Sequence, residues 1–151
     1  MKHLTASELA ALARLNRARA DGGADAAEWE AHFAAAYSAD RRLAVYGTLA
    51  PGQPNHHHLS DLAGRWIAGG AVTGTLEQIG WGADLGYPAL RWSADGGEVA
   101  VQLFASDELP AHWPRLDEFE GEQYLRILVP VRFADGRIEV ANLYAAHPAA
   151  E

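Results

Sequence analysis

Residues Tyr124 to Phe133 alternate without a break: Leu125, Ile127, Val129, Val131 and Phe133 fall on one face, and Tyr124, Arg126, Leu128, Pro130 and Arg132 on the other. A period of two over this length predicts a strand with one face in a core. Pro130 has no N–H to give to a ladder, so it predicts a sheet edge or a bulge. Asp135-Gly136 is a strong hairpin signal, and Ile138 to Tyr144 returns antiparallel to the first run.

The remaining strands are shorter and rich in glycine. Leu43, Ala44, Val45 and Tyr46 form an apolar run that reads as a buried strand. Trp66-Ile67, Ala71 to Ile79 and Tyr87-Pro88-Ala89-Leu90 leading into Arg91-Trp92 follow, and after a turn at Asp95-Gly96-Gly97, Val99, Val101 and Leu103 alternate as a half-buried strand. Gly64, Gly69, Gly70, Gly74, Gly80, Gly82 and Gly86 mark bends or bulges, which suits a strongly curved sheet or barrel. The fold class expected is α+β: a small mixed, mostly antiparallel β-barrel of about six strands with flanking helices.

Helices frame this sheet. Thr5 with Glu8 makes a capping box, with Leu4 and Leu9 as its hydrophobic staple, and opens a helix to about Arg19 whose apolar stripe is Leu9, Leu12 and Leu15. Asp21-Gly22-Gly23 breaks it. Asp25 and Glu28 repeat the capping-box spacing, and Trp29, Phe33 and Tyr37 share one face of a second helix. Residues 1–40 thus read as an N-terminal helical hairpin packed on the domain or a partner, and residues 41–151 as the main domain. Asn55 is placed to cap a short helix through His56, His57 and His58. Those three rings point about 100° apart on a helix and lack a ligand at i+4, so no metal is expected there. A further helical passage from Ser106 or Asp107 is divided by Pro110 and Pro114 and ends at Gly121.

With 151 residues and no cysteine, the chain has room for a real core but no disulfide, thiolate nucleophile or thiolate metal site. A net charge of −8 without a Lys/Arg stripe argues against nucleic acid. No apolar run reaches the length of a membrane span, and charged residues interrupt the N-terminus, so neither a membrane partner nor a secretory signal is expected; a cytoplasmic protein is.

Chemistry concentrates in two stretches. In Tyr46-Gly47-Thr48-Leu49-Ala50-Pro51-Gly52-Gln53-Pro54-Asn55 a strand breaks into a loop whose N–H groups lose their ladder partners, which either builds a backbone anion site or only makes a tight turn. In Leu116-Asp117-Glu118-Phe119-Glu120-Gly121, Leu116, Phe119 and Glu120 lie at i, i+3 and i+4, while Asp117 and Glu118 point mainly to solvent. A carboxylate beside apolar walls has its pKa raised toward that of a neutral-pH base. The plainer alternative is that Glu120 flanks a helix end and pairs with Arg126 or Arg115.

Together these stretches resemble the gamma-glutamylcyclotransferase-like family. The resemblance rests on Val45-Tyr46-Gly47-Thr48-Leu49 with Gly52 and Asn55, on Tyr87-Pro88-Ala89-Leu90, and on Leu116 to Gly121 followed by Tyr124 and Arg126, in matching order and spacing over about residues 42–146. The Gly52-Gln53-Pro54-Asn55 loop looks most like the gamma-glutamylamine cyclotransferase branch. The resemblance implies a small mixed barrel, no cofactor, and a small-molecule gamma-glutamyl substrate closed to 5-oxoproline with release of an amine. It makes Glu120 the catalytic acid/base, and Tyr46, Gly47, Thr48, Leu49, Asn55 and Tyr124 the substrate-binding set. Ala50-Pro51 stands where the family commonly has a basic residue, and residues 1–40 have no counterpart. Two other readings use the same residues: an enzyme releasing gamma-glutamyl from a biosynthetic conjugate, and a non-catalytic small-acid-binding or assembly module. A homodimer through the N-terminal helices is the oligomer such a chain would form.

Overall fold

The computed structural model describes residues 4–22 and 26–149. Helices α1 (Ala6–Ala20) and α2 (Ala27–Tyr37) precede strand β1 (Arg42–Val45); a short α3 (His57–Ser60) leads to β2 (Arg65–Glu77), β3 (Ala89–Trp92) and β4 (Gly97–Ala105). Helix α4 (Leu109–Glu120) and the hairpin of β5 (Tyr124–Phe133) and β6 (Ile138–Ala146) complete the chain. The strands run β3-β2-β4-β1-β6-β5, and β5 pairs again with β2, so five strands close a ring and β3 flanks β2 outside it. Only β1 and β6 are parallel. The expected mixed, mostly antiparallel barrel is therefore the fold. No helix among the described residues is long and apolar enough to cross a membrane.

The alternation of β5 decides what fills the ring. Ile127, Val129, Val131 and Phe133 meet Ala44, Leu103, Val101 and Leu143 in the interior, whereas Leu128 on the opposite face joins the helices. Closure needs β2 to bend. Between Ile67↔Leu103 and Gly70↔Val101 its register gains one residue, a bulge at which Gly69 has φ +89°, and directly beyond it Gly70 pairs with Phe133 of β5.

β2 and β5 share only the pairs Gly70↔Phe133 and Ala71↔Arg132, which leaves the first half of β5 without a strand on that side. Helix α1 supplies the missing partners. Asn16 Nδ2 donates to Leu128 O and Leu128 N donates to Asn16 Oδ1, each at 2.9 Å, and Arg19 Nη1 donates to Arg126 O at 2.9 Å. Since Leu128 turns its backbone away from β6, Pro130 two residues later does so too, and its missing N–H costs no bond to β6.

The capping box at Thr5 and Glu8 forms. Leu12 and Leu15 are buried, but Leu9 is exposed, so the stripe is narrower than its spacing suggests. The second capping box falls on Asp25, outside the described residues; α2 starts after Ala26, which makes no side-chain cap. Phe33 and Tyr37 are buried with Leu12, Leu15, Leu128 and Val140, so the aromatic face is used within the chain. Two expectations are corrected. Asn55 does not cap α3: His56 holds that position without a side-chain bond, and the Asn55 N–H instead donates to Thr48 O at 2.9 Å. The prolines do not divide α4: Pro110 sits in its first turn, where an N–H is dispensable, and Pro114 lies on its exposed side, where solvent reaches the carbonyl it leaves unbonded.

Asn16→Ala strips two hydrogen bonds from a covered strand edge. It is expected to lower stability by about 1–3 kcal/mol in urea unfolding, and an unchanged midpoint would show that water replaces the amide.

Candidate active site

Helix α4 buries Leu109, Trp113, Leu116 and Glu120, positions i, i+4, i+7 and i+11 of one stripe, against the outer face of β1. Glu120 is thus the last member of an apolar face and is 8% exposed. Burial, followed by the nearby negative charge of Asp117, pushes its carboxyl up to about 8. Neither arginine offered by the sequence neutralises it. Arg126 donates from Nε and Nη2 to Asp117 at 2.9 and 3.3 Å, and Arg115 donates to His112 Nδ1 and His58 O. Asp117, though exposed, is not simply solvated, because its Oδ1 also accepts the Tyr144 hydroxyl at 2.7 Å.

β1 ends below this carboxyl. Tyr46 follows it and is held from both sides: its hydroxyl donates to Tyr144 O at 2.7 Å and accepts from Leu90 N at 2.9 Å, and burial raises its pKa. The chain then turns away through Gly47, Thr48 and Leu49. Turn bonds Ala50 N to Gly47 O and Asn55 N to Thr48 O close the loop, and among the described residues no acceptor takes the N–H of Gly47, Thr48 or Leu49. All three residues line the pocket above the strand end. This is the loop geometry from which backbone anion sites are made.

The facing wall is built by Gly80-Trp81-Gly82. Trp81 Nε1 donates to Glu120 O at 2.9 Å, and its ring meets Phe119 and Tyr124 edge to face. Tyr124 lies so close that a Cβ on Gly80 would come within 2.5 Å of its hydroxyl, and Gly82 N donates to that hydroxyl at 3.2 Å. Tyr87 OH reaches Gln53 Oε1 at 2.5 Å, joining the two loops at the rim.

Glu120, Tyr46, Gly47, Thr48, Leu49 and Tyr124 therefore line one pocket, of about 440 Å³ with the open solvent at its mouth included. Asn55 is not among its lining residues; its N–H closes the loop at Thr48 O. Trp81, Gly82, Tyr87, Pro88 and Tyr144 also line it. The sequence signal for Trp81 is a large ring between two glycines, a pattern that leaves room for a neighbouring side chain. Tyr144 carries no such signal. Two of the histidine rings stay together instead of pointing apart: the ring centres of His57 and His58 lie 4.3 Å apart, with His58 also on Phe119 at 3.9 Å, while His56 Nδ1 meets Leu49 O at 3.0 Å. Among the described residues no three acidic or histidine side chains converge on a metal position.

A family model described as gamma-glutamyl cyclotransferase, AIG2-like, matches residues 43–151. The chain belongs to this family. No curated protein sequence matches it. Among solved structures, an AIG2-like protein from Mus musculus aligns at 24% identity and TM-score 0.54, over 70% of this chain and 76% of that one. The protein YkqA from Bacillus subtilis aligns at 25% identity and TM-score 0.53, over 74% of this chain but only 37% of the Bacillus chain. A protein from Arabidopsis thaliana shares 22% identity at TM-score 0.52, over 70% of this chain and 61% of that one. These likenesses establish the gamma-glutamyl cyclotransferase-like fold.

The raised Glu120 pKa links to stability with a definite sign. The folded chain holds the proton more tightly than the unfolded one, so stability falls as pH rises from about 4.5 through about 8. Glu120→Gln is expected to match the wild type near pH 4.5 and become more stable above it, by on the order of 1.4 kcal/mol for each pH unit up to the folded pKa. Parallel melting temperatures across that range would contradict a desolvated carboxyl.

Proposed function

We propose that the protein is a gamma-glutamylcyclotransferase-type enzyme that converts a gamma-glutamyl amine to 5-oxoproline and a free amine. The observation that carries this reading is an unpaired, desolvated carboxyl facing a loop of unpaired backbone N–H groups, in a chain of this family. The substrate brings its own nucleophile. Its alpha-amine attacks its gamma-carbonyl, the new C–N bond closes a five-membered ring, and the old amide C–N bond breaks. Holding the glutamyl chain folded supplies much of the barrier reduction, since well-oriented intramolecular reactions reach effective molarities on the order of 10⁵ M or more.

Glu120 moves the proton. The alpha-ammonium has a pKa of about 8 and must lose a proton before it attacks. An ordinary glutamate would be about 4 pK units too weak a base, roughly 5 kcal/mol uphill. At about 8 the two groups are matched. The same carboxyl then returns the proton to the departing amine. The N–H groups of Gly47, Thr48 and Leu49 bind the substrate alpha-carboxylate or the oxygen that gains charge as the ring closes.

The leaving group follows from what the walls lack. Among the described residues lining the pocket there is no Lys or Arg, while Trp81, Tyr87 and Tyr124 present aromatic surface. A leaving group with its own carboxylate would go unpaired there. An amine with an aliphatic body fits, as in the gamma-glutamylamine branch.

The test is release of 5-oxoproline from a panel of gamma-glutamyl amines, gamma-glutamyl amino acids and glutathione, with Glu120→Gln as the control. Turnover of amines above amino acids is expected, reduced at least 10²-fold by the substitution. Silence of the folded wild type across the panel would contradict the reading. A second outcome concerns pH: kcat/KM is expected to rise through a pKa near 8, because the protonated Glu120 carboxyl cannot accept the ammonium proton.

A further inference from the structure

The family match begins at residue 43, so α1 and α2 lie outside it, yet one side chain of α1 reaches the pocket wall through unbroken polar contacts. Arg19 donates from Nε and Nη2 to Glu30 at 2.8 Å each, and from Nη1 to Asn142 Oδ1 at 2.9 Å. Asn142, fully buried on β6, accepts a second guanidinium at the same oxygen, from Arg126 Nη1 at 2.9 Å, while its Nδ2 donates to Ala39 O at 2.8 Å. Arg126 clamps Asp117, and Asp117 accepts the hydroxyl of Tyr144, which lines the Glu120 pocket.

Two guanidinium groups on one amide oxygen repel unless each has a counter-ion. Glu30 serves Arg19 and Asp117 serves Arg126, so the cluster is balanced, and Trp113 underlies Arg126 with its ring centre 4.4 Å away. The amide also fixes which way each cation points. Arg19 supplies the bond from outside the barrel, and without it Asn142 loses one of its two donors and Glu30 its partner.

We propose that Arg19 is a positioning residue for the Glu120 site: by holding Asn142 it keeps Arg126 on Asp117 and Asp117 on Tyr144, making the N-terminal helix part of the catalytic unit. The inference rests on the reading of Glu120 as the base. The titratable groups facing Glu120 are Asp117 on α4, Tyr46 beyond β1, Tyr124 on β5 and Tyr144 on β6. Asp117 is the charged one, and Arg126 offsets it. Loosening Arg126 leaves the Asp117 charge less compensated, and that keeps Glu120 protonated to higher pH.

The test compares Arg19→Gln and Arg19→Lys with the wild type by two readouts. In the kcat/KM profile on the best panel substrate, Arg19→Gln is expected to move the rising limb upward by about 0.5 pH unit, roughly 3-fold less activity at pH 7. Arg19→Lys, which keeps the charge but not the fork, falls between. The second readout is the pH dependence of melting temperature with and without Glu120→Gln, which reports the same ionisation without turnover, and its inflection is expected to move equally. A lower kcat with both profiles unmoved would overturn the proposal, because a merely structural role gives that result. If nothing on the panel turns over but the melting inflection moves, the functional reading fails and the positioning role stands. If Arg19→Gln does not fold, Arg19→Lys decides: an upward displacement supports the role, and a wild-type limb overturns it.

Discussion

Burying a carboxyl group without a counter-ion costs free energy, and the fold around Glu120 places that cost on the ionised form. The residue ends the apolar stripe of α4, with the barrel on one side and Trp81 on the other, while Arg126 is committed to Asp117. Were Arg126 to pair with Glu120 instead, the carboxyl would be an ordinary acid, useless for taking a proton from an ammonium at neutral pH. The allocation of one guanidinium between two carboxylates three residues apart on one helix is thus the choice on which the chemistry of the site depends.

The barrel makes that choice geometric. β5 carries Arg126 at a position facing outward over α4, and β6 brings Tyr144 directly opposite it and Asn142 to the diagonal position opposite Leu128. β5 is held in place at one end by β2, after the bulge at Gly69, and along the rest of its edge by the side chains of α1. An unpaired edge of this kind would otherwise invite pairing with another chain. The N-terminal helices therefore complete the sheet as well as cover it.

Much of this was legible in residues 116–133. Period-two patterning in β5 and the i, i+3, i+4 spacing of Leu116, Phe119 and Glu120 are local signals, and each corresponds to a feature of the structure. Tyr46 and the Gly47–Leu49 turn were legible for the same reason: an apolar run followed by glycine and proline has few conformations open to it. What was hidden is long-range. Asn142, Tyr144 and Arg19 lie on elements that meet only in the folded barrel, and nothing in the neighbourhood of any of them indicates a shared amide oxygen or hydroxyl. Asn55 and Pro114 show the opposite error, in which a strong local preference is overridden: the backbone bond from Asn55 N to Thr48 O closes the loop before α3 begins, and the exposed side of α4 tolerates a proline.

The central claim is that burial raises the Glu120 pKa to about 8 in the folded protein, so that its carboxylate is a base matched to an ammonium. The most direct measurement is a pH titration of its side-chain carboxyl by carbon-13 NMR, assigned by loss of the signal in Glu120→Gln. A carboxyl resonance titrating near pH 8, well above the other glutamates, is the result the structure predicts. Titration in the ordinary range for an exposed glutamate, about 4.3, would contradict it.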